Sequence, residues 1–294
     1  MELLSPANWI DYELIDCGDF EKLERFGKYF TIRPEPQAVW PKIYSNTEWE
    51  KLAHVRFVPN SSSSGEWEKL KQMPGQWEIK YNIKEDGGAG KEMVLRLGLT
   101  SFKHVGVFPE QAVNWDKIYW FLHNKPGVKF LNLFAYTGGA SIAAKAAGAD
   151  VTHVDSIKQV VSWANENMQK SNLDNIRWVI DDALKFVKKE VRRGNFYDGI
   201  ILDPPSFGHG PNGEKWKLED NIAEMIENVL QILNPKQHLL ILNAYSIGFS
   251  ALVPENLLMP YAQKNKSDLR IGELFLNAKS GVKLPLGVWG SLNK

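Results

Sequence analysis

The 294-residue sequence has a single cysteine, Cys17. One thiol excludes an internal disulfide, a structural zinc finger and a Cys-pair redox motif, and it suits a reducing compartment. Charge of one sign is missing too: 35 Lys plus Arg balance 35 Asp plus Glu. No global basic field exists to draw in a polyanion, so any such partner is held by a local patch. Nowhere is there the run of ~18 apolar residues that a membrane-spanning helix needs. The opening MELLSPANWIDYELID has no basic stretch followed by an apolar one. These absences point to a soluble, cytoplasmic protein with no membrane partner. What is present is ordinary globular composition, 44% hydrophobic and 24% charged, in a chain long enough for one large or two modest domains.

Residues 1–126 are rich in Trp, Pro, Gly and short alternating stretches such as Trp77-Glu78-Ile79-Lys80-Tyr81 and Met93-Val94-Leu95-Arg96-Leu97. That pattern predicts half-exposed strands in a small β-rich N-terminal domain. The stretches 61–65 and 86–90 have the composition of flexible hairpin tips, and 61–65 is a candidate mobile lid. From Val128 onward, apolar runs of strand length alternate with helical patterns, the signature of βαβ units and a parallel sheet. Strands are expected over 128–133, 150–154, 176–180, 198–202 and 238–243, with helices starting near Gly139, Ile157, Asp182 and Leu218 and another over 254–264. A closing antiparallel hairpin, 269–276 with 284–292, completes a second domain spanning 127–294.

In an open parallel α/β sheet a ligand lies at the carboxyl ends of the strands, so the residues just after each strand carry the chemistry. The first strand is followed by Asn132-Leu133-Phe134-Ala135-Tyr136-Thr137-Gly138-Gly139, where glycines let a ligand approach the backbone at a helix start. A plain compact turn is the alternative. Asp155, followed by Ser156, ends the second strand and suits the two hydroxyls of a ribose, or else caps the next helix. Asp181-Asp182-Ala183 after the third offers a carboxylate to an adenine amino group, with capping again the alternative. The fourth strand ends in Asp203-Pro204-Pro205-Ser206-Phe207: a carboxylate, a stiff turn and a flat aromatic face.

These residues, in this order, resemble class I S-adenosylmethionine-dependent methyltransferases. More closely, the chain resembles the bacterial family that includes the large-subunit ribosomal RNA cytosine carbon-5 methyltransferases and their uncharacterised relatives. The likeness takes in Lys22-Leu23-Glu24-Arg25-Phe26-Gly27, Ile32-Arg33-Pro34-Glu35-Pro36-Gln37-Ala38, Val105-Gly106-Val107-Phe108-Pro109-Glu110-Gln111 and, most specifically, the block 197–208. It implies an α/β fold with a Rossmann-like, seven-stranded sheet and S-adenosylmethionine as cofactor. It further implies that Phe134 to Gly139 hold the methionine part, Asp155 the ribose, Asp182 and Ala183 the adenine, and that Phe108, Glu110 and Gln111 line the cofactor or target pocket. An ordinary linker strand is the alternative for that last segment.

Two departures set this sequence apart. Carbon-5 enzymes need a thiolate that adds to the pyrimidine ring, and they carry it shortly after the fifth strand; here that stretch reads Asn243-Ala244-Tyr245-Ser246. The small RNA-binding domain with which the family's ribosomal RNA enzymes often begin is also expected to be missing. A nitrogen acceptor therefore suits the sequence, with Asp203 and the Pro204 carbonyl accepting from an amino group and Phe207 stacking on the ring. In similar amino methyltransferases the aromatic residue follows the prolines directly, whereas Ser206 intervenes here. RNA, ribosomal RNA by resemblance, is the expected partner. Trp216 between Lys215 and Lys217, with Asn243 and Tyr245, are candidate target contacts, although Trp216 equally suits packing its loop down. Lys185, Lys188, Lys189, Arg192 and Arg193 form either an RNA-facing patch or a solvated helix face. No metal is expected, and a homodimer stays open. The competing readings are a methyltransferase of a protein or small molecule, a non-catalytic S-adenosylmethionine-binding module, and a nicotinamide-dependent oxidoreductase, the last disfavoured by the absence of GxGxxG.

Overall fold

The structure is a computed structural model that describes every residue except 8, 62–63, 86–87 and 246–247. The expected hairpin tips at 61–65 and 86–90 thus lie partly outside the described residues. In chain order the first half comprises β1 (Glu2–Leu4), β2 (Tyr12–Gly18), β3 (Glu21–Phe26), β4 (Tyr29–Pro34), α1 (Asn46–Leu52), β5 (Val55–Pro59), β6 (Gly65–Lys69), β7 (Gln76–Glu85) and β8 (Gly88–Gly98). A short 3-10 turn, Pro109–Gln111, leads into α2 (Ala112–Leu122). There follow β9 (Lys129–Leu133), α3 (Gly139–Ala146), β10 (Asp150–Asp155), α4 (Lys158–Lys170), β11 (Arg177–Ile180), α5 (Ala183–Arg193) and β12 (Gly199–Leu202). The chain closes with β13 (Phe207–His209), β14 (Lys215–Lys217), α6 (Leu218–Gln231), β15 (Leu239–Ala244), α7 (Leu252–Asn265), β16 (Asp268–Asn277) and β17 (Lys283–Asn293).

The central sheet has the order β1-β16-β17-β15-β12-β9-β10-β11. Strands β11, β10, β9, β12 and β15 run parallel, and β17 is antiparallel to both β15 and β16. This is the parallel sheet with a closing hairpin that the apolar periodicity predicts. The seven strands implied by the resemblance are joined by an eighth, β1, which pairs in parallel with β16. Gly272 makes this possible, because a Cβ at that position would run into the Glu2 backbone carbonyl. Glu2 also receives Nε and Nη2 of Arg270 at 2.7 and 2.6 Å, a two-pronged ion pair.

The β-rich first half consists of a five-stranded sheet, β2-β3-β4-β5-β6, and the β7–β8 ribbon. Ile15, Leu23, Ile32, Trp49 and Ala53 form a small cluster of their own, but most of the apolar side chains of this half join the second half. Tyr12, Phe26, Ile79 and Leu95 pack in one continuous cluster with Trp115, Ile142, Phe130, Val151 and Ile241 of the second half. A second cluster fills the opposite face of the central sheet, built from Leu131, Leu133, Ile200 and Leu242 against α5, α6 and α7. With both faces covered, β9, β12 and β15 are buried nearly throughout, which is why they read as apolar runs without alternation. The sheet reverses its winding direction between β9 and β12, and the carboxyl ends of that pair open towards the first half of the chain.

Candidate active site

The turn leaving β9 is bent and held from several sides. Phe134 and Tyr136 both sit in the left-handed region, at φ 54° and 48°, as does Gly138 at 87°. For two aromatic residues that backbone costs on the order of 1–3 kcal/mol each and persists only where neighbours impose it. Here Asp155 Oδ2 accepts the Tyr136 N–H at 2.9 Å, Thr137 donates its hydroxyl to the Gly106 carbonyl at 2.7 Å, and Asn167 donates to the Thr137 carbonyl at 3.0 Å. Gly106 is forced in turn: its φ is 108°, and a Cβ would collide with the Trp163 ring. Beside this turn a cleft gathers Phe108, Gln111, Asn132, Phe134, Tyr136, Thr137, Gly138, Gly139 and Asp203, floored by Leu95, Trp115 and Ile201. Nine of the expected cofactor positions thus meet in one place. The Phe108 and Tyr136 rings stand 5.2 Å apart, and Asn132 is turned by a bond to Ser141 Oγ, which in turn bonds His153.

At the end of β10, Asp155 accepts from backbone N–H groups, Oδ2 from Tyr136 and Oδ1 from Ile157, with Ser156 as a third backbone donor, which leaves acceptor capacity on the carboxylate. Burial holds its carboxyl above the usual range. Ser156 lies half-buried beside it. Asp182 caps α5 through Oδ1 to the Lys185 N–H at 2.8 Å, and Ala183 behind it is buried. Capping and ligand binding are therefore compatible at both acids, since neither exhausts its acceptors.

Asp203, at the carboxyl end of β12, is the head of a buried chain of amides. Gln111 Nε2 donates to Asp203 Oδ2 at 3.1 Å, and Gln111 Oε1 accepts from Asn114 at 2.8 Å and from Asn243 at 3.2 Å. Pro204 behind it is buried, which fixes the exit of the strand. Burial pushes the Asp203 carboxyl up to about 7. Glu110, in the neighbouring 3-10 turn, is likewise raised to about 7, mainly by burial, with the Asp203 charge adding to the rise and Lys22 opposing it. Beyond Glu110 lies a packed set of ions from the first half. Arg33 Nε and Nη2 donate to Glu24 Oε2 at 2.8 and 2.5 Å, Lys22 Nζ meets Glu35 Oε2 at 3.1 Å, and the Tyr245 hydroxyl donates to Glu35 Oε1 at 2.7 Å. These four buried charges all lie in the segments 22–27 and 32–38.

Other candidates sit elsewhere. Trp216 is buried, packs its ring 4.8 Å from Phe134 and donates Nε1 to the Pro205 carbonyl at 2.7 Å. It packs the loop down, as the second of its two expected roles had it. Phe207 is 69% exposed and outside the cleft. The basic cluster on α5 is mostly neutralised, with Lys185 on Glu214, Lys188 on Glu224, Lys189 on Asp181 and Arg193 on Glu190. Cys17 is fully buried in β2, its thiol pushed up to about 12 by burial. Among the described residues no cluster of His, Cys, Asp or Glu suits a metal ion, and no helix is long and apolar enough to cross a membrane. The sequence reasoning missed Asn114, Trp115, Glu35 and Lys22. Asn114 was detectable, because it interrupts the apolar stripe of Trp115, Ile118, Tyr119 and Leu122 on α2.

The residues present fit S-adenosylmethionine. Asp155 and Asp182 stand at the ends of β10 and β11 with acceptors to spare, and the cleft itself holds the Asp203 carboxylate with the Phe108, Phe134 and Tyr136 faces, a setting suited to a sulfonium. A family profile described as S-adenosylmethionine-dependent methyltransferase matches residues 49–272. Ribosomal RNA large subunit methyltransferase K/L of Shewanella frigidimarina is 30% identical over 152 residues, 50% of this chain and 21% of that protein. Ribosomal RNA large subunit methyltransferase K of Neisseria meningitidis is 25% identical over 274 residues, 89% of this chain and 73% of that protein. The chain thus spans about a fifth of the length of the K/L relatives it matches. The crystal structure of a SAM-dependent methyltransferase from Agrobacterium tumefaciens superposes with a TM-score of 0.90 at 35% identity, over 100% of this chain and 93% of that one. A chain from Streptococcus mutans, with a TM-score of 0.73 at 17% identity over 98% of this chain and 76% of that one, shares the fold.

Proposed function

The chain belongs to the S-adenosylmethionine-dependent methyltransferase family, and from that we propose that it transfers a methyl group to a nitrogen of a base in ribosomal RNA, in the cytoplasm. The observation that carries the chemistry is Asp203 at the switch point, one carboxylate oxygen held by Gln111 and the other left for an acceptor. The names of the curated relatives support ribosomal RNA as substrate.

When bound, the cofactor supplies an electrophilic methyl group on a sulfonium. The protein's task is alignment and proton handling. The pinned turn over Phe134 to Gly139 fixes one reactant. The Asp203 carboxylate and the Pro204 carbonyl accept hydrogen bonds from an amino or imino nitrogen, raising its electron density and orienting its lone pair. With its carboxyl near neutrality, Asp203 takes the proton released on methylation at Oδ1. A covalent thiol route has no group to run it, because Cys17 is sealed in β2 and Tyr245 stands after β15.

Methyl incorporation from radiolabelled S-adenosylmethionine into RNA and protein fractions of cells lacking the gene tests this, with wild type and Asp203→Asn side by side. Label in ribosomal RNA, released by nuclease as an N-methylated base and lost in the variant, is the expected result. Label in protein only, or a 5-methylcytosine product, overturns it.

A further inference from the structure

The β13–β14 hairpin follows the Asp203-Pro204-Pro205 turn at once, and its register sorts its six residues onto two faces. Phe207 pairs with Lys217, Gly208 with Trp216 and His209 with Lys215. Side chains alternate across a strand, so Gly208 and Trp216 share one face while Phe207, His209, Lys215 and Lys217 share the other. Trp216 is buried, whereas all four residues of the other face are exposed.

The buried face anchors the hairpin to the chemistry. Trp216 packs on Phe134 in the cleft turn and bonds the Pro205 carbonyl, and Ser206 Oγ donates to the Tyr245 carbonyl at 3.3 Å. The connecting loop closes on itself: the Gly210 N–H donates to the Glu214 carbonyl at 2.8 Å, the Asn212 N–H to Glu214 Oε2 at 2.9 Å, and Lys185 fastens Glu214 to α5 at 3.2 Å. The exposed face is therefore fixed in position before anything binds. Lys217 has only an exposed contact to Asp220 at 3.2 Å, and the pairing on α5 leaves that helix little free charge to compete.

We propose that this outer face docks a single-stranded RNA segment, Phe207 stacking on a base beside the one being methylated and Lys215, Lys217 and His209 meeting its phosphates. The inference rests on the RNA reading above and locates its docking surface. Charge and shape choose the occupant. Two exposed ammonium groups, that of Lys217 in only a solvent-screened pair with Asp220, flank one bare aromatic face, the pairing of cation and ring that holds unpaired nucleotides without reading their edges. Three-residue strands span only ~10 Å, room for two or three nucleotides and too little to track the grooves of a duplex.

The test uses the full chain, a labelled oligouridylate of about twelve nucleotides and the same sequence in duplex form, with binding followed by anisotropy across a salt series. For Lys215→Ala/Lys217→Ala, the slope of log Kd against log salt is expected to fall by about 1.4. For Phe207→Ala, affinity is expected to fall about tenfold. Both should keep the wild-type melting temperature and cofactor affinity, and the single strand should bind more tightly than the duplex. An Arg192→Ala control should leave the slope within experimental error. If the wild type methylates ribosomal RNA while both hairpin variants bind the single strand unchanged, or if the duplex binds better, this surface is wrong and the RNA reading stands. If the wild type methylates no RNA, both fall together.

Discussion

Two carboxyls define the site at the scale of single residues, and their pH behaviour separates their roles. Asp203 acts as a base only when ionised, so with its carboxyl at about 7 the rate should climb as pH rises through 7 and level off above 8. Asp203→Asn should lose that limb and at least about 100-fold in turnover while cofactor affinity holds within a few fold, checked by pH-rate profiles and calorimetric titration. An unchanged limb would move the base elsewhere. Glu110 has its carboxyl raised from 4.5 to about 7 by burial, so its ionised form is disfavoured in the folded state. It contributes stability below pH 4.5 that drains away as pH rises to 7. Glu110→Gln should therefore raise stability at pH 8 by on the order of 2–3 kcal/mol and change little at pH 4, read from denaturation curves at the two pH values. Asp203 was legible in the sequence because Pro204 and Pro205 mark a strand end. The amide chain behind it was not, since Gln111, Asn114 and Asn243 are 132 residues apart at the extremes and meet only through the fold.

At the scale of elements, the sequence located nearly every strand and helix of the second half within a residue or two, because buried parallel strands are unbroken apolar runs punctuated by caps such as Asp182 and Gly194. The β13–β14 hairpin escaped notice: three residues a side are too few for a period to show. The glycine turn was visible in outline, but its tightness was not. A Cβ on Gly139 would lie 2.5 Å from Trp115 Cζ2, and Trp115 is both cleft floor and core. Gly139→Ala should push that ring into the cleft, weakening cofactor binding tenfold or more and costing about 1–3 kcal/mol of stability. Titration calorimetry beside thermal melts checks both, and full affinity with a lowered melting point would place the cofactor away from this wall.

For the whole molecule, the division drawn in the sequence at residue 126 marks a change of texture, and one core cluster crosses it. Residues from β2, β3, β7 and β8 share a core with β9, β10 and β15, and the Tyr245–Glu35 bond ties the site's rim to the N-terminal sheet. One cooperative unfolding transition is expected, with coincident midpoints by tryptophan fluorescence and far-ultraviolet dichroism. Tyr245→Phe removes a partner from a buried carboxylate and should lower stability by about 1–3 kcal/mol, moving that midpoint down without splitting it. Two resolved transitions would show that the halves fold separately. The pairing of Glu2 with Gly272 carries one more consequence. A ribosome delivers the first edge strand about 270 residues ahead of the strand it must lie against. Until then Glu2 has no Arg270 and β1 no neighbour, so the nascent chain carries an unpaired edge over that whole interval of synthesis. Pairing of β1 thus waits on the synthesis of β16, and the growing polypeptide depends on whatever shields that edge in the meantime.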